Sequence, residues 1–332
     1  MSGLGAYLVI GSNSFTGTAF VEHLLAAGRE VIGVSRSEEI ALPLRRYGWK
    51  RHPGRFTYHR IDLNHDLDAL SRLMAERRPN RVVNFAAQSM VAESWANPDH
   101  WMMTNVVSLV RLQERLRQAD FLDSYVHVTT PEVYGSTEGW VKEDHRFDPS
   151  TPYAVSRAAG DFSIMSYVKA YGFPASFTRA ANVYGAGQPL YRIVPRTVFF
   201  ALTGRKLQLH GGGHSVRSFI HAADVAEATE RVAEKAPPGS TYHISTTRQI
   251  AIRDLVKLIL DGLSLKFEDS VEVVGERRGK DQAYGLDSSK LRNELGWRDR
   301  VSLEAGIDET VKWIRDYRDE LQRLPLNYIH KP

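Results

Sequence analysis

The sequence predicts an α/β fold: a doubly wound parallel sheet with a smaller, interleaved C-terminal domain. Two observations carry this. From residue 5 to about 180, short β-branched runs alternate with helical patterns, the rhythm of strand–helix–strand crossovers. After Tyr184 the texture changes to Gly- and Pro-punctuated stretches at 185–189, 211–213 and 237–239, which suit the shorter elements of a second unit. The expected division gives 1–182 and about 217–248 to the sheet-bearing domain, and about 183–216 and 249–332 to the other. With 332 residues, 42% hydrophobic and 25% charged, the chain can bury both cores.

Taken in order, Tyr7–Ile10, Val31–Val34, Phe56–Ile61, Arg81–Ala86, Tyr125–Val128 and Ala175–Arg179 read as strands. Thr18–Ala27, Leu67–Glu76, Val106–Gln118 and Tyr153–Tyr171 return apolar residues to one face and read as helices. Tyr7, Trp95, Trp101 and Trp140 read as packing residues. The chain has no cysteine, which excludes disulfides, thiolate metal sites and a cysteine nucleophile. The 12 histidines show no ligand spacing, so no metal is expected. The net charge of +4 is dispersed, which argues against a nucleic-acid partner. The first residues carry no basic region and the run at 7–10 is too short to span a membrane; a cytoplasmic location is expected.

The first strand runs into Gly11-Ser-Asn-Ser-Phe-Thr-Gly17 and then a helix, the context that a dinucleotide-binding Rossmann turn requires. Gly11 permits the tight turn and Gly17 close helix–strand packing. The amides around Phe15 and Thr16, at the helix start, suit a pyrophosphate. Ser14 replaces the usual middle glycine and offers a hydroxyl donor. After the second strand, where an acid usually meets the ribose of NAD, stands Val34-Ser35-Arg36-Ser37. A guanidinium with two hydroxyls suits a 2′-phosphate, so NADP(H) is favoured and NAD(H) remains open. Asp62 and Leu63 are placed for the adenine, and Asn84-Phe85-Ala86-Ala87 for the ribose and pyrophosphate.

Val128-Thr-Thr-Pro-Glu-Val-Tyr-Gly135 and Pro152-Tyr-Ala-Val-Ser-Arg157 resemble the corresponding segments of nucleotide-sugar 4,6-dehydratases, within the extended short-chain dehydrogenase/reductases. The resemblance extends through Arg179-Ala-Ala-Asn-Val-Tyr-Gly185, Leu190-Tyr-Arg-Ile-Val-Pro195, Arg217-Ser-Phe-Ile-His221 and Leu295-Gly-Trp297, and Ala86-Ala-Gln-Ser89 is similar to the GDP-mannose enzymes. It implies that Tyr153, hydrogen-bonded to Thr130, removes the proton of the sugar 4-hydroxyl as hydride leaves C4. Glu132 then takes the C5 proton, water departs from C6, and the hydride returns to C6. Thr104 joins Tyr153 and Arg157 among the cofactor contacts. A nucleotide-diphosphate hexose is the implied substrate, held by Ser89, Asn182, Arg192, Arg217 and Arg277, with Tyr284 bordering the diphosphate. A homodimer through Val106–Gln118 and Tyr153–Tyr171 is also implied.

Two positions depart from the family pattern. The lysine of Tyr-x-x-x-Lys is Arg157, which keeps the charge and changes its shape. Pro131 replaces the residue that protonates the departing 6-hydroxyl. These departures leave open a nucleotide-sugar epimerase, 4-dehydrogenase or decarboxylase of the same fold, or a non-catalytic dinucleotide or nucleotide-sugar sensor.

Overall fold

In the structure, a computed structural model, residues 5–143, 146–275 and 285–331 are described. The six expected strands form as β1 (Tyr7–Ile10), β2 (Glu30–Ser35), β3 (Arg55–Arg60), β4 (Arg81–Asn84), β5 (Ser124–Val128) and β6 (Ala175–Ala180), and β7 (Thr241–Ile244) joins them. Their order is β7–β6–β5–β4–β1–β2–β3 and every neighbouring pair is parallel. This is the Rossmann arrangement. The winding reverses between β1 and β4, which opens a crevice at their carboxyl ends.

Alternation along β1 sends Tyr7 and Val9 to one face and Leu8 and Ile10 to the other. The first pair packs with Phe20 and Leu24 of α1 (Phe15–Ala26) and with Val225 and Val232 of a late helix, Ala222–Lys235. The second pair packs with Leu70 of α2 (Leu67–Arg77) and with Leu112 and Ile164 of two further helices. Both faces are covered, so these strands read as continuous apolar runs. Each fully buried Leu or Phe contributes about 2 kcal/mol. Another core gathers Tyr184, Val198, Phe199, Ile259, Ile307 and Ile314 from the C-terminal half.

The helix expected at 106–118 begins earlier. α3 (Pro98–Met102) passes through a π-helical segment, Met103–Ser108, into α4 (Leu109–Leu116). Pro98 suits the first turn, where its missing N–H has no partner to lose. The long helix α5 (Pro152–Tyr171) ends at Gly172, φ +64°, a left-handed cap. Of the four expected packing aromatics, Tyr7 and Trp101 are 0% exposed, whereas Trp95 and Trp140 lie at the surface, 62% and 45% exposed. Among the described residues no helix is long and apolar enough to cross a membrane.

Candidate active site

Gly11 ends β1 at φ +82°, a conformation open to glycine. A Cβ there would stand 2.6 Å from the Ala86 amide nitrogen, and one on Gly17 would stand 2.3 Å from the Gly11 carbonyl oxygen. The turn after β1 therefore touches the loop after β4 backbone to backbone. Ser14 caps α1: its hydroxyl oxygen accepts from the Gly17 N–H at 3.0 Å and keeps its own proton to donate. The amides of Phe15 and Thr16, in the first turn, lack intrahelical partners. This cradle fits a pyrophosphate.

At the ribose end, the Ser35 hydroxyl accepts from the Asn13 N–H at 3.0 Å, and the Asn13 side chain donates to Tyr58 Oη at 2.9 Å and Ser37 Oγ at 3.3 Å. Arg36 Nη2 donates to the Lys331 carbonyl at 3.1 Å. Arg36, Ser37, Glu38, Arg60 and Lys331 line a cavity of about 280 Å³. The Asp62 carboxylate accepts from the Asn64 N–H at 2.8 Å. Leu63 and Phe85 bury their side chains, Phe85 against Phe20 at 5.4 Å, so each has its backbone left to offer. The Ala86 N–H donates to Asn84 Oδ1 at 2.9 Å, and Ala87 follows half-buried. The Thr104 hydroxyl accepts from the Asn64 amide at 3.1 Å.

Beyond β5, Thr130 caps a 3₁₀ turn, Pro131–Tyr134, by accepting the Glu132 N–H at 3.3 Å. Pro131 occupies the first position, where a missing N–H costs nothing. Gly135 follows at φ +66°, and a Cβ there would meet the Asp148 carbonyl oxygen at 2.2 Å. The Tyr134 hydroxyl donates to His243 Nε2 at 2.8 Å while His243 Nδ1 donates to the Val141 carbonyl at 3.1 Å, so β7 anchors the turn that carries half-buried Glu132. Burial, with the Arg179 charge, drives His243 down to about 3 and keeps it neutral. Val133 and Tyr134 pack against Ala158, which ties the turn to α5. Thr151 caps that helix by accepting the Ala154 N–H at 3.2 Å, and half-buried Tyr153 stands in its first turn, at the positive end of the helix dipole.

Tyr153, Arg157 and Asp161 recur every fourth residue and share one face of α5. Arg157 is buried. Its Nη2 donates to the Val128 carbonyl and lies 3.3 Å from His127 Nε2, so this arm of the guanidinium turns toward the sheet. Asp161 accepts from Arg179 Nη2 at 2.7 Å and from the Thr129 hydroxyl at 3.1 Å. Burial, then the charges of Arg157 and Arg179, hold His127 well below the usual imidazole range. Burial pushes the Asp161 carboxyl up against the pull of the same two guanidiniums.

Sequence reasoning missed His127 and Asp161, although the four-residue spacing from Arg157 was a signal for the latter. It also missed Asn105, which the π-helical segment delivers. Asn105 Oδ1 accepts the Gln88 N–H at 2.8 Å, and its Nδ2 donates to the Gln88 carbonyl at 3.0 Å and to Ser156 Oγ at 2.9 Å. The loop after β4 is thereby pinned to α5. Past Gln88, Ser89 leads into Met90 at φ +76°, a left-handed position that costs a non-glycine residue ~1 kcal/mol or more.

Asn182 and Arg217 come together: the Asn182 N–H donates to the Ser218 carbonyl at 3.1 Å, between paired strands Asn182–Tyr184 and Phe219–His221. Arg217 Nη1 donates to the Val216 carbonyl at 2.8 Å. Arg192 stands just before α6 (Ile193–Leu202), exposed, with its guanidinium 5.5 Å from the Tyr191 ring. Arg277 and Tyr284 lie outside the described residues.

Residues 8–310 match the GDP-mannose 4,6 dehydratase family. The chain is 35% identical over 316 residues to a dTDP-glucose 4,6-dehydratase of Streptomyces antibioticus, covering 94% of this chain and 92% of that one. Its structure matches that of DesIV, a dTDP-glucose 4,6-dehydratase from Streptomyces venezuelae solved with NAD bound, at a TM-score of 0.87 and 32% identity, over 95% of this chain and 98% of that one. It also matches a UDP-glucose 4-epimerase of Thermotoga maritima, solved with UDP-glucose, at a TM-score of 0.85 and 25% identity, over 94% and 99% of the two chains.

Proposed function

The chain is a nucleotide-sugar 4,6-dehydratase belonging to the GDP-mannose 4,6 dehydratase family, and from that premise we propose how its own residues run the reaction. Its cofactor is a nicotinamide dinucleotide, which when bound supplies a hydride acceptor for C4 of the hexose and a hydride donor for C6. Gly11, Ser14, Phe15, Thr16 and Gly17 hold the pyrophosphate. Tyr153, positioned with Thr130, removes the proton of the 4-hydroxyl. The resulting 4-keto group acidifies C5, and Glu132 removes that proton. Pro131 has no proton to give, so Glu132 passes the proton it has just taken to the departing 6-hydroxyl, and water leaves. Arg157 supplies the positive charge of the absent lysine. The observation that carries this assignment is the joint anchorage of the Glu132 turn and α5 through Val133, Tyr134 and Ala158.

In this reading, 1–182 with about 217–248 binds the dinucleotide, and about 183–216 with 249–332 takes a nucleotide-diphosphate hexose. Asn182, Arg192, Arg217 and Arg277 hold its diphosphate, and Ser89 meets the hexose. Arg36, Ser37 and Arg60 around the 280 Å³ cavity support NADP(H); the NAD in DesIV supports NAD(H). Two chains pair through α3–α5, where Met103, Val107, Val155 and Phe162 expose apolar surface. The absence of cysteine supports a cytoplasmic location.

The test is mass spectrometry of the protein incubated with UDP-, GDP-, dTDP- and CDP-hexoses, first without added cofactor. Loss of one water from a single substrate is expected. Accumulating reduced dinucleotide, released carbon dioxide or an epimer of unchanged mass would replace dehydration by one of the alternatives that Pro131 favours.

A further inference from the structure

Residues 326–331 run from the C-terminal half to the dinucleotide crevice. At one end, Arg196 Nη1 on α6 donates to the Leu326 carbonyl at 3.0 Å, and the Tyr328 ring meets Tyr191 edge-on at 5.7 Å. Next to the far end, His330 stacks on Trp101 of α3 at 4.9 Å and 11°, and on His100 at 5.1 Å and 13°, with its Nε2 2.8 Å from His100 Nδ1. At the far end the Lys331 carbonyl accepts two hydrogen bonds, from Gln88 Nε2 at 2.6 Å and Arg36 Nη2 at 3.1 Å.

Arg36 follows β2 and Gln88 follows β4, the strands on either side of β1. One carbonyl thus bridges the crevice that the Gly11 turn opens. Lys331 is also one wall of the 280 Å³ cavity that Arg36, Ser37, Glu38 and Arg60 line at the β2–β3 side of the crevice, a space close to the lower end of ligand pockets and suited to a nucleoside-sized part of a ligand. Chemistry supplies a reason for such a wall. A dehydratase that released its reduced dinucleotide between oxidation at C4 and hydride return at C6 would strand the 4-keto intermediate.

We propose that residues 326–331 are a clasp over the dinucleotide, with Tyr328 and His330 as positioning residues that keep the cofactor seated between the two hydride steps. The clasp rests on the reading of the crevice as a dinucleotide site. The lysine side chain takes no part in the bridge, and the chain has no cysteine, so Lys331→Cys gives a single attachment point for a nitroxide.

The experiment is a chase: the full chain is loaded with NADPH or NADH, excess oxidised dinucleotide is added, and the decay of bound fluorescence gives the dissociation rate. His330→Ala, which removes two ring stacks, is expected to speed dissociation about tenfold. His330→Phe, which keeps a flat ring against Trp101, should restore most of the retention. The nitroxide at 331 should lose mobility when dinucleotide is added. Unchanged dissociation in His330→Ala, or a label equally mobile with and without dinucleotide, would overturn the clasp. Faster association with unchanged dissociation would overturn it too, by making the segment a plug. A wild-type chain that binds no dinucleotide overturns both clasp and site; one that binds it but removes no water overturns the dehydratase assignment alone.

Discussion

Arg157→Lys separates the charge of this residue from its shape. In the fold, Arg157 Nη2 holds the half-buried Val128 carbonyl and approaches His127 Nε2 at 3.3 Å. A lysine ammonium that reaches toward the reacting groups abandons both acceptors. A carbonyl left without its donor, largely out of reach of water, costs ~1–3 kcal/mol, and a half-buried one falls within that range at ~2 kcal/mol or less. With ~2 kcal/mol lost, and an unfolding entropy of ~2.1 cal/mol/K per residue over 332 residues, Tm should fall by about 3 °C. Activity should move the other way, held or raised, because the family's own cation is restored. Thermal unfolding and single-turnover water loss by mass spectrometry read the two effects separately. Abolished activity with an unchanged Tm would refute the reasoning, since the guanidinium's shape would then serve catalysis and not the fold.

Glu132→Gln should still permit reduction of the dinucleotide by the sugar but block water loss, by a factor of ~10² or more; unimpaired dehydration would remove Glu132 from the mechanism. Stability should decline on acidification. Unfolded, His127 and His243 protonate near pH 6.5, whereas in the fold His243 resists to about 3 and His127 stays neutral well below its usual value. The unfolded chain then binds more protons, so the contribution is full above about pH 6.5 and lost below it, by up to ~1.4 kcal/mol per pH unit for each imidazole. Carboxyls raised by burial, such as Asp161 and Glu143, act oppositely from about pH 4 upward, so the imidazole part is read as the change in urea midpoint between about pH 6.5 and 5 in the wild type less that in His243→Gln; no difference between the two chains would contradict a neutral His243. Sedimentation at micromolar concentration should show a dimer, and a monomer would leave the apolar surface of Val107, Val155 and Phe162 without its proposed cover.

β1, β2 and β4 were legible because they are apolar on both faces, as parallel strands between helix layers must be; β3, at the sheet edge, was legible by its alternation, and β5 and β6 by their aromatic and β-branched residues. β7 was not, since Thr241-Tyr-His-Ile244 is short and half polar; its polar residues are there to be hydrogen-bonded, His243 by Tyr134 and Val141. The turn at Gly11–Gly17 was legible because steric demands leave a mark in the sequence. The network of His127, Asp161 and Arg179 was not, because its members sit on β5, α5 and β6 and meet only once the sheet has formed. Asn105 was hidden for a local reason: the π-helical segment breaks the periodicity by which its inward orientation would be read. Exposed Trp95 and Trp140 show the converse failure, since size and apolarity alone do not place a residue inside.

The cluster on the inner face of α5 has a consequence for salt. It sets two guanidiniums, Arg157 and Arg179, against one carboxyl, with His127 neutral between them. This leaves a surplus positive charge in the interior, where mobile ions do not reach and the dielectric response is weak. The charge is a fixed feature of the interior on the helix that also carries Tyr153, present before any ligand arrives. Exposed Arg192 is screened by every added ion. Raising ionic strength should therefore weaken capture of an anionic ligand well before it slows the step that follows, which makes the two halves of the site separable with nothing more than sodium chloride.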